Sequence, residues 1–251
     1  MCIVARLTTA VVALALPFAA AAQQITVSAA ASLTDAFKEI GSRFEADQKG
    51  ATVRFNFAAS GVLLQQISQG APVDVFASAD QDTMNRAAQQ NLIVPATRKD
   101  FAMNQVVLIE PAKEGTGIKD LQGLAGAGVK RIAVGKVGTV PVGRYTKEVL
   151  DTAGMWSKLE PKFVFADSVR QVLDYVGRGE VEAGFVYATD AAVMRDRVKV
   201  VLTATGHTPV SYPVAVIADS KQKEIAGKFV QYLSSGRGIE ILTKYGFAVA
   251  K

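Results

Sequence analysis

Cysteine is almost missing from this chain. It has one, Cys2, among 251 residues, so neither a disulfide framework nor a thiolate metal site can be built within it. Histidine is as scarce: His207 stands alone in the loop-like "ATGHTPVSY", which excludes His-rich zinc clusters. Neither a P-loop spacing nor a G-x-S-x-G elbow occurs. Long charged runs are absent too. The basic residues come at most in pairs, such as Arg98-Lys99 and Lys130-Arg131. A formal charge of +5 spread so thinly describes a solvated surface, not a nucleic-acid groove. These absences argue against an enzyme and against a nucleic-acid partner. Asp74 and Asp80, on one strand and its exit, are expected to be structural.

What is present begins with residues 1–22. A basic start at Arg6, an apolar stretch from Ala10 to Ala19 and a small-residue end predict a secretory signal peptide, cleaved after Ala22. Pro17 interrupts the apolar stretch, and the stretch is short for a membrane span. No leucine-containing lipobox precedes Cys2, so a lipid anchor is not expected. Removing Arg6 takes the charge from +5 to +4. The mature chain then holds no cysteine, inserts in no membrane, and is expected in the periplasm as a monomer.

The rest is 49% hydrophobic over the whole chain, enough for a sizeable core. Strand-like and helix-like segments alternate. "ITVSAA" (25–30) precedes a helix with Leu33, Phe37, Ile40 and Phe44 on one face. "ATVRFNFAAS" (51–60) leads into "GVLLQQISQG", and "VDVFASAD" (73–80) into "QDTMNRAAQQ". After the apolar strand "NQVVLIEP" (104–111) a second series follows: "RIAVGK", a helix through "VPVGRYTKEVLDTAGMW", "KFVFA", the helix "SVRQVLDYVGRG" and the strand "AGFVYATDAA" (183–192). "SYPVAVIAD" (211–219) resembles 104–111 in kind, and helices close the chain. The repeated β-α order predicts an α/β fold with parallel strands. Two similar bracketing strands predict two lobes joined by two crossovers: 23–106 with 213–251, and 107–212. A cleft between lobes is the natural ligand site.

Ser32 stands where the first strand becomes a helix, a place where unpaired N–H groups and the positive dipole end favour anions. Ser32 suits an N-cap for a helix opening at Leu33, with Asp35 at a capping-box spacing. The feature recurs. Ser60 begins a helix and is followed by Gly61, which lets a backbone approach. Pro141 falls in a first helical turn, and "DSV" (167–169) opens the helix carrying Val172, Leu173 and Val176. In an α/β sheet such junctions gather at the carboxyl ends of the strands, so four of them can converge on one small ligand.

The stretches "AAASLTDAF", "GAPVDVFASAD", "GTVPVGRYTKEVL", "SVRQVL", "FVYATDAA", "YPVAV" and "TKYGFAVAK" resemble the periplasmic molybdate-binding proteins of molybdate ABC transporters, over Ile25 to the C-terminus. The resemblance implies a two-lobed type II binding-protein fold, each lobe a mixed sheet flanked by helices. It implies a tetrahedral oxyanion held between the lobes by Ser32, Ser60, the Val142 and Val169 backbone N–H groups, and Tyr187. Any metal would then be met only through oxyanion oxygens, with no direct ligands and no cofactor. The ligand would be molybdate or tungstate, and the partner an ABC permease. A sulfate-like oxyanion or a small organic anion is the alternative. The sequence departs from the family at Ala59 and Gly61, where serines often flank Ser60, and at Val142, often alanine.

Donor-only chemistry bears on selectivity. Hydrogen phosphate carries a proton, and burying an O–H without an acceptor costs about 1–3 kcal/mol. Sulfate carries none, and only cavity size would exclude it. Arg144 and Arg170 are expected to be peripheral, so that Arg144→Ala weakens binding little.

Overall fold

The computed structural model describes residues 23–250; the expected signal peptide and Cys2 lie outside the described residues. Two mixed sheets form the frame. In the first lobe, β1 (Gln23–Ala30) pairs in parallel with β2 (Ala51–Ala58) and with β3 (Val75–Ala77). Between them run α1 (Thr34–Asp47) and α2 (Ser60–Ser68), and β3 leads to α3 (Gln81–Gln89). β4 (Lys99–Asn104) enters the same sheet, and after Gln105 the chain crosses into the second lobe as β5 (Val106–Pro111).

There β6 (Ile132–Gly135) leads to α4 (Pro141–Thr152), a single turn α5 (Trp156–Leu159) and β7 (Phe163–Ala166). α6 (Val169–Gly177), β8 (Ala183–Tyr187), α7 (Ala188–Val193) and β9 (Val198–Thr203) follow. The chain returns through 204–209 to β10 (Val210–Val216), then α8 (Lys223–Leu233), α9 (Gly236–Lys244) and β11 (Ala248–Val249).

The two sheets repeat one plan. β2-β1-β3 are parallel, with β10 antiparallel beyond β3; β7-β6-β8 are parallel, with β5 antiparallel beyond β8. Every parallel strand is therefore followed by a helix that starts at the same edge of its sheet, and these edges face each other.

The two-lobed α/β expectation holds, with local differences. "NQVVLIEP" is not one strand: the sheets change at Gln105, so Val106 already pairs with Tyr187 in the second sheet. Val210–Tyr212 pair with β4 in the first sheet, which moves the second crossing ahead of the expected boundary at 212/213. The strand expected over 183–192 ends at Tyr187, and its tail is α7.

Packing differs between the lobes. α1 turns Phe37, Ile40 and Phe44 inward, and Phe229 of α8 meets Phe44 edge-on at 5.2 Å. The second lobe is mainly aliphatic, with Ile132, Val134, Leu150, Val172, Leu173 and Val176 fully buried. Each such side chain contributes about 1.5–3 kcal/mol. Among the described residues no helix is long and apolar enough to cross a membrane.

Candidate functional site

Where the facing edges meet, a small cavity of about 10 Å³ is enclosed by Ala30, Ala31, Ser32, Ala59, Ser60 and Ala79 of one lobe and by Val140, Pro141, Val142, Val169 and Tyr187 of the other. All five residues singled out from the sequence are in its wall. Alanines complete the first lobe's side, which lets backbone and hydroxyls approach whatever sits inside. The wall has no carboxylate and no cationic side chain.

Each lobe builds its part differently. Ser32 lies in a single 3-10 turn, Ala31–Leu33, and α1 starts only at Thr34. This corrects the capping expectation: Ser32 caps nothing, and Asp35 does not reach back to it. Its Oγ instead lies 3.1 Å from the Tyr212 hydroxyl. Ser60 opens α2 without capping it, and its Oγ accepts the Ala79 N–H at 3.0 Å. With that oxygen already engaged, the Ser60 proton is free to point into the cavity.

The second lobe presents backbone. Pro141 is the first residue of α4 and Val142 the second, so the Val142 N–H has no acceptor within its helix. Gly143 permits this placement: a Cβ there would fall 2.1 Å from the Gly135 carbonyl oxygen. The α4 start is thereby pressed against the end of β6. Val169 is the first residue of α6, capped by Ser168, whose hydroxyl accepts the Gln171 N–H at 3.2 Å. Tyr187 ends β8; its hydroxyl is buried and has no hydrogen-bond partner. Burial pushes its pKa well above the usual phenol value, so it stays protonated.

The seam around the cavity is closed. The Gly61 N–H donates to the Thr139 carbonyl across it at 2.9 Å, and a Cβ at 61 would come within 2.7 Å of that backbone. Two arginines, each in ion pairs, flank the cavity. Arg144 of α4 donates through Nε to Asp80 at 2.8 Å and through Nη2 to Thr83 Oγ1 at 2.8 Å. Arg170 of α6 pairs with Asp35 of α1 at 2.7 Å, and its Nε donates to Asp190 in its own lobe at 2.6 Å. Both arginines lie outside the cavity wall, as expected, yet each holds one lobe to the other. A small effect of Arg144→Ala therefore no longer follows.

Asp190 is fully buried with one oxygen unpartnered. Burial raises its pKa to about 6, outweighing the opposing pull of Arg170. Burial opposes the charge on Arg170, but Asp190 and Asp35 outweigh it and hold its pKa above the ordinary value. Asp74 and Asp80 are structural: Asp74 accepts from the Thr26 N–H and the Ser220 hydroxyl, and Asp80 caps α3 through the Thr83 N–H. His207 packs edge-on against Tyr145, 5.6 Å between ring centres, outside the cavity.

Sequence reasoning missed Asp35, Asp190, Asn104 and Tyr212 as parts of this region. Their partners lie 20 to 180 residues away, and no local spacing announces them.

Comparison with known proteins agrees with this architecture. A family model described as bacterial extracellular solute-binding protein matches residues 25–248. The chain is 38% identical over 232 residues to the molybdate-binding protein ModA of Escherichia coli (strain K12), covering 90% of this chain and 89% of that one. It is 34% identical over 238 residues to ModA of Haemophilus influenzae, covering 91% of both. The solved Azotobacter vinelandii periplasmic molybdate-binding protein superposes with a TM-score of 0.78 at 24% identity, covering 90% of this chain and 100% of that one, a likeness of fold. Proteins of this kind carry a ligand and do not transform it. The chain belongs to the bacterial extracellular solute-binding proteins, as a homologue of their molybdate-binding members and not an enzyme.

Proposed function

We propose that the protein binds molybdate or tungstate in the cavity between its lobes and delivers it to an ABC permease. Ser32, Ser60 and Tyr187 donate through hydroxyls, and Val142 and Val169 through backbone N–H groups. The observation that carries this reading is the wall itself: three hydroxyls and two first-turn amides surround a space without a single charged side chain. Such a wall suits a small anion that is already fully deprotonated. Each charge-assisted hydrogen bond contributes about 1.5–3 kcal/mol net. The dipoles of the contributing helices add about 0.3–1 kcal/mol each. Together these offset the loss of the anion's hydration without a buried counter-charge.

The names of the relatives favour molybdate over an organic anion. The chain is exported, released by cleavage after Ala22, and works as a monomer in the periplasm, with 23–104 and 210–250 closing as one unit on 106–203. The permease recognises the closed form, whose population the ligand raises.

Thermal unfolding of dialysed protein, titrated with molybdate, tungstate, sulfate and phosphate at equal ionic strength, tests the reading. A ligand at 100 times its Kd adds about 2.7 kcal/mol of stability. Saturable shifts with molybdate and tungstate alone are expected. Equal shifts with sulfate would make the protein a general oxyanion binder, and no shift with any of the four would overturn the proposal.

A further inference from the structure

The two serines of the wall are backed differently. Behind Ser60 is a backbone N–H, which no substitution of a side chain can reverse. Behind Ser32 is a chain of side chains: its Oγ lies 3.1 Å from the Tyr212 hydroxyl, which lies 3.2 Å from Asn104 Nδ2. The Asn104 amide has one orientation. The Gln105 N–H donates to Asn104 Oδ1 at 2.9 Å, so the NH₂ group is turned toward Tyr212 and toward Thr189 Oγ1, at 2.9 Å.

We propose that Asn104, acting through Tyr212, fixes Ser32 as a hydrogen-bond donor and so tunes the cavity against oxyanions that carry a proton. The proposal rests on the reading of the cavity as an oxyanion site. An amide NH₂ can only donate, so the Tyr212 oxygen accepts from it. The single Tyr212 proton then goes to its other neighbour, Ser32 Oγ. Tyr212 is fully buried, and burial holds its pKa well above the ordinary value, which keeps that proton in place. With one lone pair taken by Tyr212 from behind, Ser32 turns its own proton into the cavity. Both serines thus aim their protons into the cavity, each with one of its two lone pairs already engaged from behind. Tyr187 is the one wall hydroxyl whose direction nothing fixes. Asn104 is on this account a positioning residue for specificity: it touches no ligand and sets the polarity of one that does.

Asn104→Asp reverses the chain. A carboxylate accepts from Tyr212, Tyr212 then accepts from Ser32, and Ser32 turns a lone pair toward the cavity. The added negative charge weakens every dianion, so absolute affinity is an ambiguous readout. The ratio of molybdate to phosphate affinity at pH 8 is not, because both ions are then mainly dianions and only phosphate carries a proton. Calorimetric titration with molybdate, and phosphate measured by displacement, gives this ratio for the wild type and each variant. The expected result is a fall of about tenfold or more in Asn104→Asp. A smaller fall of a few-fold is expected in Tyr212→Phe, which removes the connection without adding charge. Adding Ser32→Ala to Asn104→Asp should abolish the difference. An unchanged ratio in both single variants overturns the proposal while leaving the binding site intact. A wild type that does not bind molybdate overturns the underlying reading, and is seen before any variant is compared.

Discussion

The two lobes share a plan but not a way of supplying hydrogen-bond donors. At equivalent points, after β2 and after β7, stand Ser60 and Ser168. Ser168 spends its hydroxyl on capping α6, and the neighbouring Val169 lines the cavity at the first position of the helix. Ser60 caps nothing; its oxygen accepts the Ala79 N–H and its proton is left free beside the cavity it lines. At the helix starts one lobe presents side chains and the other main chain, and Tyr187 is the second lobe's one hydroxyl in the wall. Side-chain donors can be altered singly by substitution. Main-chain donors tolerate almost any residue, which is why valine can stand at 142 and 169.

This contrast can be attacked directly. Ser60→Ala removes a donor and also strands the buried Ala79 N–H, so the largest loss is expected there. By calorimetry, molybdate affinity should fall about 100-fold, corresponding to about 2.7 kcal/mol. A fall under threefold would mean that Ser60 does not face the ligand.

The counterpart in the second lobe is Val169→Pro. Proline is tolerated at a first helical position, and Ser168 before it is extended, φ −157° and ψ 164°, as the residue before a proline prefers. One N–H is deleted and the helix remains. Affinity should fall about 30-fold, with the melting temperature of the unliganded protein nearly unchanged. Equal affinity in this variant would refute the main-chain half of the comparison.

Arg144→Ala tests what joins the lobes. The proposed ligand contacts are untouched, but the cross-lobe pairs with Asp80 and Asp82 are lost, so the closed form is less populated and apparent affinity falls with it. Stopped-flow measurement should show ligand release faster by about tenfold and association little altered. Unchanged release would show that closure does not depend on these pairs.

The smallest effect concerns pH. Asp190, with a pKa of about 6 in the folded protein, ordinarily titrates near 3.9 when unfolded. Between these values the native state holds a proton that the unfolded chain lacks. This group therefore makes the protein more stable as pH falls through the window, and its penalty is fully present above it. Melting curves from pH 7 to pH 4 should show this gain in the wild type and not in Asp190→Asn, relative to one another.

Much of this was legible in the sequence because it is local. Alternating strand and helix patterns gave two α/β units, and small residues at four strand ends marked the converging junctions. What escaped depends on distant partners or on ambiguous local signals. The polar 99–104 stretch pairs with β10 and β11, yet its pattern alone does not read as a strand. Ser32 has every local mark of a cap, but the 3-10 turn moves the helix start past it. Asp35 matches a capping box by spacing and instead finds Arg170 in the other lobe. Gln105, polar between Asn104 and the apolar run from Val106 to Ile109, is where the chain leaves one sheet for the other, and only the pairing of Asn104 and Val106 with different sheets reveals it.

In the cross-lobe pairs of Arg144 with Asp80 and Asp82 and of Arg170 with Asp35, the arginine belongs to the second lobe and the carboxylate to the first. The facing surfaces are thus oppositely charged at two separated points, and attraction guides them together before any contact forms. Dissolved salt weakens such attraction, over a Debye length of about 8 Å at physiological ionic strength. On the proposed reading, a cavity whose own wall bears no charged side chain should still lose its oxyanion sooner at higher salt, because the ions act on the rim that holds it shut.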